Sequence, residues 1–344
     1  MEQFYSGMLS ISDGRDNIPG QNYFTLEIAV SNSSDEIIFY SAVPSDKADL
    51  LEKQLLALYP KAQIKEAKDD YNIFNDSGAS LGAYAEFSES QVFPVKTYDA
   101  FQNDPLPVLL NVFSKLKKEG EGAALQFVIN PAGDYFLKKY GAVLDQVKRG
   151  VPVKEATNIA WGLGSAFAKA LGGLVFGGGG KGAKEEKKVD ESVVGLLAEK
   201  IGSTILNANI RAIASADTGG RAKEILSDLE SPFKQISLPG SNGIVFPEEK
   251  SRSRLRSFFH EFSYRTFSYD HPLPLNIKEL ATLMHFSGGT EVSPQLKQAK
   301  SSAARAPLDI PKEGVLLGVN KYRGVETPIR MTKDDRLRHF YVIG

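Results

Sequence analysis

Two groups of residues in this sequence have the types and spacing to do chemistry, and both groups suit phosphate. The first is Tyr341-Val342-Ile343-Gly344, an apolar, strand-like run that closes on a glycine. A phosphate-binding loop is a strand, then G-x-x-x-x-G-K-[ST], then a helix. Its backbone N–H groups and lysine cradle the phosphates while its hydroxyl holds magnesium. Here the strand and the first glycine are present without the lysine and the hydroxyl, so Gly344 is a candidate cofactor-binding residue in an incomplete site. The internal glycine cluster does not replace it. Gly180-Lys181 is followed by Gly182 rather than Ser or Thr, and Val175 stands where the motif needs its first glycine. The second group is basic and aromatic: Arg252, Arg254, Arg256 and Arg265, with Lys250 and His260, set among Phe258, Phe259, Phe262 and Tyr264. Arginines contact phosphates and exposed aromatic rings stack on bases, which makes the four arginines nucleic-acid candidates. The same stretch also fits an ordinary amphipathic helix. Leu255, Phe258, Phe259 and Phe262 would then be its buried stripe, the arginines would be solvated, and Glu248, Glu249 and Glu261 would dilute their charge.

Other chemistries find less support. The chain has no cysteine, which removes disulfides, thiolate zinc sites, iron–sulfur clusters and cysteine nucleophiles and fits a reducing cytoplasm. Its histidines, His260, His271, His285 and His339, are far apart and form no H-E-x-x-H pair, so no metal site is expected. A G-x-S-x-G elbow is absent as well. The formal net charge of −1 gives no global field toward nucleic acid or anionic lipid, so any such contact must be local. Met1-Glu2-Gln3-Phe4 does not open a signal peptide, and the apolar stretch 159–180 is broken by Lys169 and several glycines.

At 344 residues the chain has room for two or three units. A polar lead, 1–22, precedes strands at 23–30 and 36–42, a helix at 46–59, and strands at 62–67 and 81–88. A helix at 105–117 and a buried strand at 123–130 follow, and a helix at 134–148 leads out. From 36 to 130 the order is β-α-β-β-α-β, that of a ferredoxin-like split β-α-β unit, which places a first α+β domain at 23–150. Glycine richness and the charged run after Gly180 make 151–188 a flexible insertion. A second α+β domain spans 189–286, with a strand at 203–215, helices at 190–200, 220–233, 251–259 and 277–285, and weaker strands at 243–246 and 264–269. The stretch 287–312 is a linker. Segments 315–322 and 325–331 flank Arg323-Gly324 as a terminal β-hairpin within 313–344. The fold class is α+β.

Several segments together resemble one family. They are Ile37-Ile38-Phe39-Tyr40 with Val43-Pro44 and the run 55–64, then 211–215 with Arg221-Ala222-Lys223-Glu224-Ile225-Leu226, and finally 314–344. This pattern resembles the region preceding the motor domain in HerA/FtsK-like P-loop ATPases of conjugation and type IV secretion systems. The resemblance implies a non-catalytic accessory region of an ATP-driven DNA or protein translocase, serving assembly, docking or substrate guidance. It implies no cofactor in this chain, and ATP with magnesium for the full-length protein. The implied partners are the motor domain of the same polypeptide, DNA, secretion-system components and, in the full-length form, further copies of itself. The implied location is the cytoplasm or the inner face of the membrane. A free-standing scaffold or binding protein without a motor is the alternative reading.

Overall fold

The computed structural model describes residues 1–12, 23–60, 62–67, 69–102, 104–162, 189–286, 306, 310–322 and 325–337. The chain forms two compact units, the larger from Met1–Leu58 with Glu66–Lys297 and the smaller from Tyr59–Lys65 with Gln298–Gly344.

The larger unit is built on one antiparallel sheet. Its strands are β1 (Phe24–Val30), β2 (Ile38–Ala42), β3 (Ala79–Tyr84), β5 (Gly122–Pro131) and β6 (Ile205–Ala216), in the order β2-β1-β5-β6-β3, with β8 (Leu273–Asn276) also pairing with β6. A separate two-stranded pairing joins β4 (Glu86–Phe87) to β7 (Ile244–Val245). The helices are α1 (Glu2–Met8), α2 (Ala48–Leu58), α3 (Leu106–Phe113), α4 (Tyr135–Lys148), α5 (Val153–Ala160), α6 (Glu191–Lys200), α7 (Gly219–Glu230), α8 (Arg252–Ser263) and α9 (Ile277–Leu283). Among the described residues no helix is long and apolar enough to cross a membrane.

The two faces of the sheet differ in chemistry because strand side chains alternate. One face carries Leu26 and Ile28 of β1, Leu125 and Phe127 of β5, and Ile210 and Ala212 of β6, all in the main core. Onto it pack Phe4, Tyr5 and Met8 of α1, Leu109 and Phe113 of α3, Ile225 and Leu229 of α7, and Leu280 of α9. The other face carries Glu27, Gln126 and Arg211 at the intervening positions and is covered by α8. A satellite core forms where Tyr140 and Val143 of α4 meet Ala156 of α5 and Leu197 of α6.

A fully buried ion pair ties α6 to the corner between β8 and α9. Lys200 Nζ lies 2.7 and 3.0 Å from the two carboxylate oxygens of Glu279. Glu279 also accepts from the Val95 and Asn276 N–H groups, the latter as part of a capping box that starts α9. Burial pushes the Lys200 ammonium below its ordinary pKa, while Glu279 opposes that shift.

The α+β class and the terminal hairpin are present as expected, but several finer expectations change. The ferredoxin-like arrangement is not confirmed. Residues 62–67 are exposed chain outside any strand, and β1 takes the place beside β2. Residues 23–150 and 189–286, expected as two domains, contribute strands to one sheet, because β5 pairs with β6 along its length. The expected polar lead 1–22 contains α1, whose Phe4, Tyr5 and Met8 are buried. The expected insertion 151–188 begins with α5, and Trp161 packs on Tyr140 at 5.7 Å between ring centres. Residues 163–188, most of the expected linker 287–312, and Gly344 lie outside the described residues.

The smaller unit contains the hairpin β9 (Val315–Tyr322) and β10 (Val325–Met331), antiparallel with an irregularity at Ile329/Arg330. Val315, Leu316, Leu317, Val319 and Val325 of this hairpin are exposed.

Candidate nucleic-acid interface

Helix α8 carries three of the four candidate arginines. Leu255, Phe258, Phe259 and Phe262 recur at helical spacing, and Phe258 and Phe262 are buried. They rest on a row of small and aliphatic residues across the sheet, where Ala29 faces Ala124, Ala124 faces Ile213, and Ile213 faces Gly82. The Phe258 ring occupies the space a Cβ would need at Gly82, so the close approach of α8 to β3 requires glycine there. Burying each phenylalanine is worth about 1.5–3 kcal/mol, so this face alone fixes which side of α8 points outward.

The adjacent row on the same sheet face is polar. Tyr40, Glu27, Gln126, Arg211 and Tyr84 stand in register across β2, β1, β5, β6 and β3. Their side chains form a chain of contacts. Tyr71 Oη donates to Glu27 at 2.7 Å, Gln126 Nε2 donates to Glu27 at 3.1 Å, and Arg211 Nη1 donates to Gln126 Oε1 at 2.7 Å. The Arg211 guanidinium also lies over the Tyr84 ring, and Tyr84 Oη donates to Glu261. Burial, more than the Glu261 hydrogen bond, pushes the Tyr84 hydroxyl up to about 12, and burial beside Glu27 holds Tyr71 well above its ordinary value.

These polar residues grip the end of α8. A helix leaves its last carbonyls without intrahelical partners. Gln126 donates to the Phe262 carbonyl at 3.1 Å, and Arg211 donates to the carbonyls of Glu261 and Thr266. One residue pair further along the sheet, Asn209 donates to the carbonyls of Ser268 and His271 at 2.8 Å and accepts from the Ser268 N–H. The stretch expected as a strand at 264–269 is therefore a loop clamped by side chains of β6.

Arg265 sits at the centre of this closure. Thr266 N–H reaches the Glu261 carbonyl and Arg265 N–H reaches the Phe262 carbonyl, the paired bonds of a Schellman C-cap. That geometry needs a left-handed residue, and Arg265 adopts φ 54° where glycine is usual. Its guanidinium is held from two sides, by Glu27 at 2.7 Å and by Asp70 at 2.8 Å. Burial opposes the Arg265 charge, but the two carboxylates keep its pKa above the ordinary value. In return the hydrogen bond from Arg265 holds the Asp70 carboxyl below the ordinary carboxylate range.

The other candidates are placed differently. Arg252, Arg254 and Arg256 are all exposed on α8. Arg254 lies 3.7 Å from Glu249, whereas no partner carboxylate is found for Arg252 or Arg256 among the described residues. The acidic residues that dilute this region in the sequence are engaged elsewhere. Glu248 pairs with Lys223 at 3.0 Å, Glu249 with Arg254, and Glu261 with Arg211 and Tyr84. The structure thus gathers three arginines on one helix and commits Arg265 to internal ion pairs. Gly344 falls outside the described residues.

Sequence reasoning missed Glu27, Gln126, Asn209 and Arg211. The signal was present. Thr25 and Glu27 alternate with Phe24, Leu26 and Ile28, and Asn209 and Arg211 alternate with Ala208, Ile210 and Ala212. Polar residues at every second position of a long apolar strand mark a face that must be paired or solvated. Among the described residues no three His, Asp or Glu side chains converge in a way that could hold a metal ion.

Compared with curated proteins, the chain finds no match. A protein family described as a domain of unknown function, DUF8128, matches residues 12–294, close to the span of the larger compact unit, which ends at Lys297. With more than half of its length inside that match, the chain belongs to the DUF8128 family.

Proposed function

We propose that this chain is a non-catalytic accessory region of an ATP-driven DNA or protein translocase of the conjugation and type IV secretion class, serving assembly, docking or substrate guidance. The observation that carries the reading is the hairpin of the smaller unit, which exposes apolar side chains at consecutive positions Val315, Leu316 and Leu317. Consecutive strand residues point to opposite faces, so both faces of β9 present apolar surface. A lone two-stranded hairpin is marginal in water and needs a covering layer. In the family that the sequence resembles, the segment matching 314–344 runs directly into the phosphate loop of the motor, and that motor supplies such a layer. Residues 12–294 would then be the guiding or docking body.

On this reading the nucleotide belongs to the motor rather than to this chain. Gly344 is present, but the lysine and the Ser or Thr of the loop are not, and Gly180-Lys181-Gly182 does not replace them. ATP and magnesium would be held by the motor, and no step of hydrolysis is assigned to residues described here.

The test extends the reading frame beyond Gly344. We expect a continuation with a lysine and a Ser or Thr in motif register, ATP hydrolysis by the extended protein, and none by this chain. Amide exchange in β9 and β10 should slow on extension. A stop codon at that point, or steady ATP turnover by this chain free of contaminating ATPase, would overturn the reading.

A further inference from the structure

We infer that the outer face of α8 is a binding site for single-stranded nucleic acid, with Arg252 and Arg256 contacting phosphates and Tyr264 stacking on a base. This deepens the guidance role proposed above and rests on that reading for its purpose, while the site itself stands on the geometry of α8. Arg252, Arg256, His260 and Tyr264 follow one another at intervals of four residues, and all four are exposed. Each step rises about 6 Å and turns about 40° beyond a full turn, so the four form a continuous band winding slowly along the helix.

Three observations favour nucleic acid as the occupant. First, no carboxylate pairs with Arg252 or Arg256 among the described residues, and the nearby Glu248, Glu249 and Glu261 are engaged by Lys223, Arg254 and Arg211. An unneutralised arginine row calls for an anionic partner. Second, the band ends in a ring available for stacking. Tyr264 is 71% exposed, and its ring is tilted on His260 with centres 4.5 Å apart. Third, the backbone that carries the ring is held in place. The clamped loop carrying Tyr264 and Arg265 is fixed by Arg211, Gln126 and Asn209, so little ordering remains to be done on binding. A flat exposed ring beside arginines suits unpaired bases, whose faces are open, better than a closed duplex.

The experiment measures binding of a fluorescent 20-nucleotide oligo-dT to this chain, by anisotropy, across a salt series. The comparisons are a duplex of equal length and vesicles of anionic lipid. The variants are R252Q/R256Q, R254Q and Y264A, all at exposed positions, with circular dichroism and melting checked for each. R252Q/R256Q should weaken binding by roughly ten-fold or more at low salt and reduce the salt slope by about 1.4, from two lost phosphate contacts of about 0.7 each. Y264A should weaken binding by roughly five-fold or more with the slope unchanged. R254Q, already paired with Glu249, should do less than R252Q/R256Q.

Absence of oligo-dT binding at low salt overturns the inference. So does preference for duplex or for vesicles, an R254Q effect as large as that of R252Q/R256Q, or a Y264A variant that binds normally. Failure here with an ATP-hydrolysing continuation intact would remove the site and leave the motor reading standing. Binding as expected without such a continuation would do the reverse.

Discussion

Arg265 shows how one side chain can make a strained backbone position worth keeping. A left-handed conformation at a residue bearing Cβ costs about 1–2 kcal/mol, and glycine would avoid that cost. Glycine would also leave Glu27 buried without the guanidinium that faces it, and breaking a buried pair from one side costs about 3–5 kcal/mol. The balance predicts that Arg265→Gly destabilises the protein by about 1–4 kcal/mol, the difference of those two terms. Arg265→Lys, which keeps the charge but loses the fork shared between Glu27 and Asp70, should fall between wild type and Arg265→Gly. Urea unfolding midpoints of the three proteins check the order. A more stable glycine variant would show that the ion pairs contribute less than the strain.

Helix α6 is held to the body by Leu197 in the satellite core and by the buried pair of Lys200 and Glu279. Lys200→Met should cost about 3–5 kcal/mol by leaving the Glu279 charge buried. The double variant Lys200→Met/Glu279→Gln should cost less than Lys200→Met alone, because glutamine can still accept from Asn276 N–H and no unpaired charge remains. Calorimetric melts of the single and double variants test this, and equal losses would show that a stranded Glu279 charge is not what destabilises Lys200→Met. At this scale much was legible in advance. The apolar run 123–130 became β5, the stripe from Leu255 to Phe262 became the buried face of α8, and the segments 315–322 and 325–331 became the hairpin. Pairing partners were less legible. Ala62-Gln63-Ile64-Lys65 alternates like a strand, but β2 pairs with β1 and those residues are exposed chain outside any strand. The candidate interface was half legible for a related reason. Spacing placed Arg254 and Arg256 toward the flanks or the outer face, but only the fold shows Glu27 and Asp70 reaching Arg265 from distant parts of the chain.

The whole molecule should weaken in acid through identifiable carboxylates. Asp70 is held below the ordinary range by its hydrogen bond from Arg265. Burial alone would raise Glu121, but Arg221 and the Lys117 N–H bring it below the ordinary range as well. Groups whose folded pKa is depressed contribute stability that is complete above the unfolded value near 4 and is lost as pH falls through the folded value. Unfolding free energy should therefore decline as pH falls below about 4, and Asp70→Asn should make that decline shallower. Urea titrations at several pH values measure it, and an unchanged acid slope in Asp70→Asn would remove Asp70 from the account. The polar row across the sheet has a consequence for how such a sheet is assembled. Sliding β1, β5 or β6 by one residue would swing Glu27, Gln126 or Arg211 to the side where Phe4, Phe113 and Leu229 pack. A misaligned sheet would have to bury an orphaned charge or amide in hydrocarbon, and the last carbonyls of α8 would find no donors waiting for them. The row thus acts as a proofreader of strand alignment, since only the correct alignment of β1, β5 and β6 lets α8 close over the sheet.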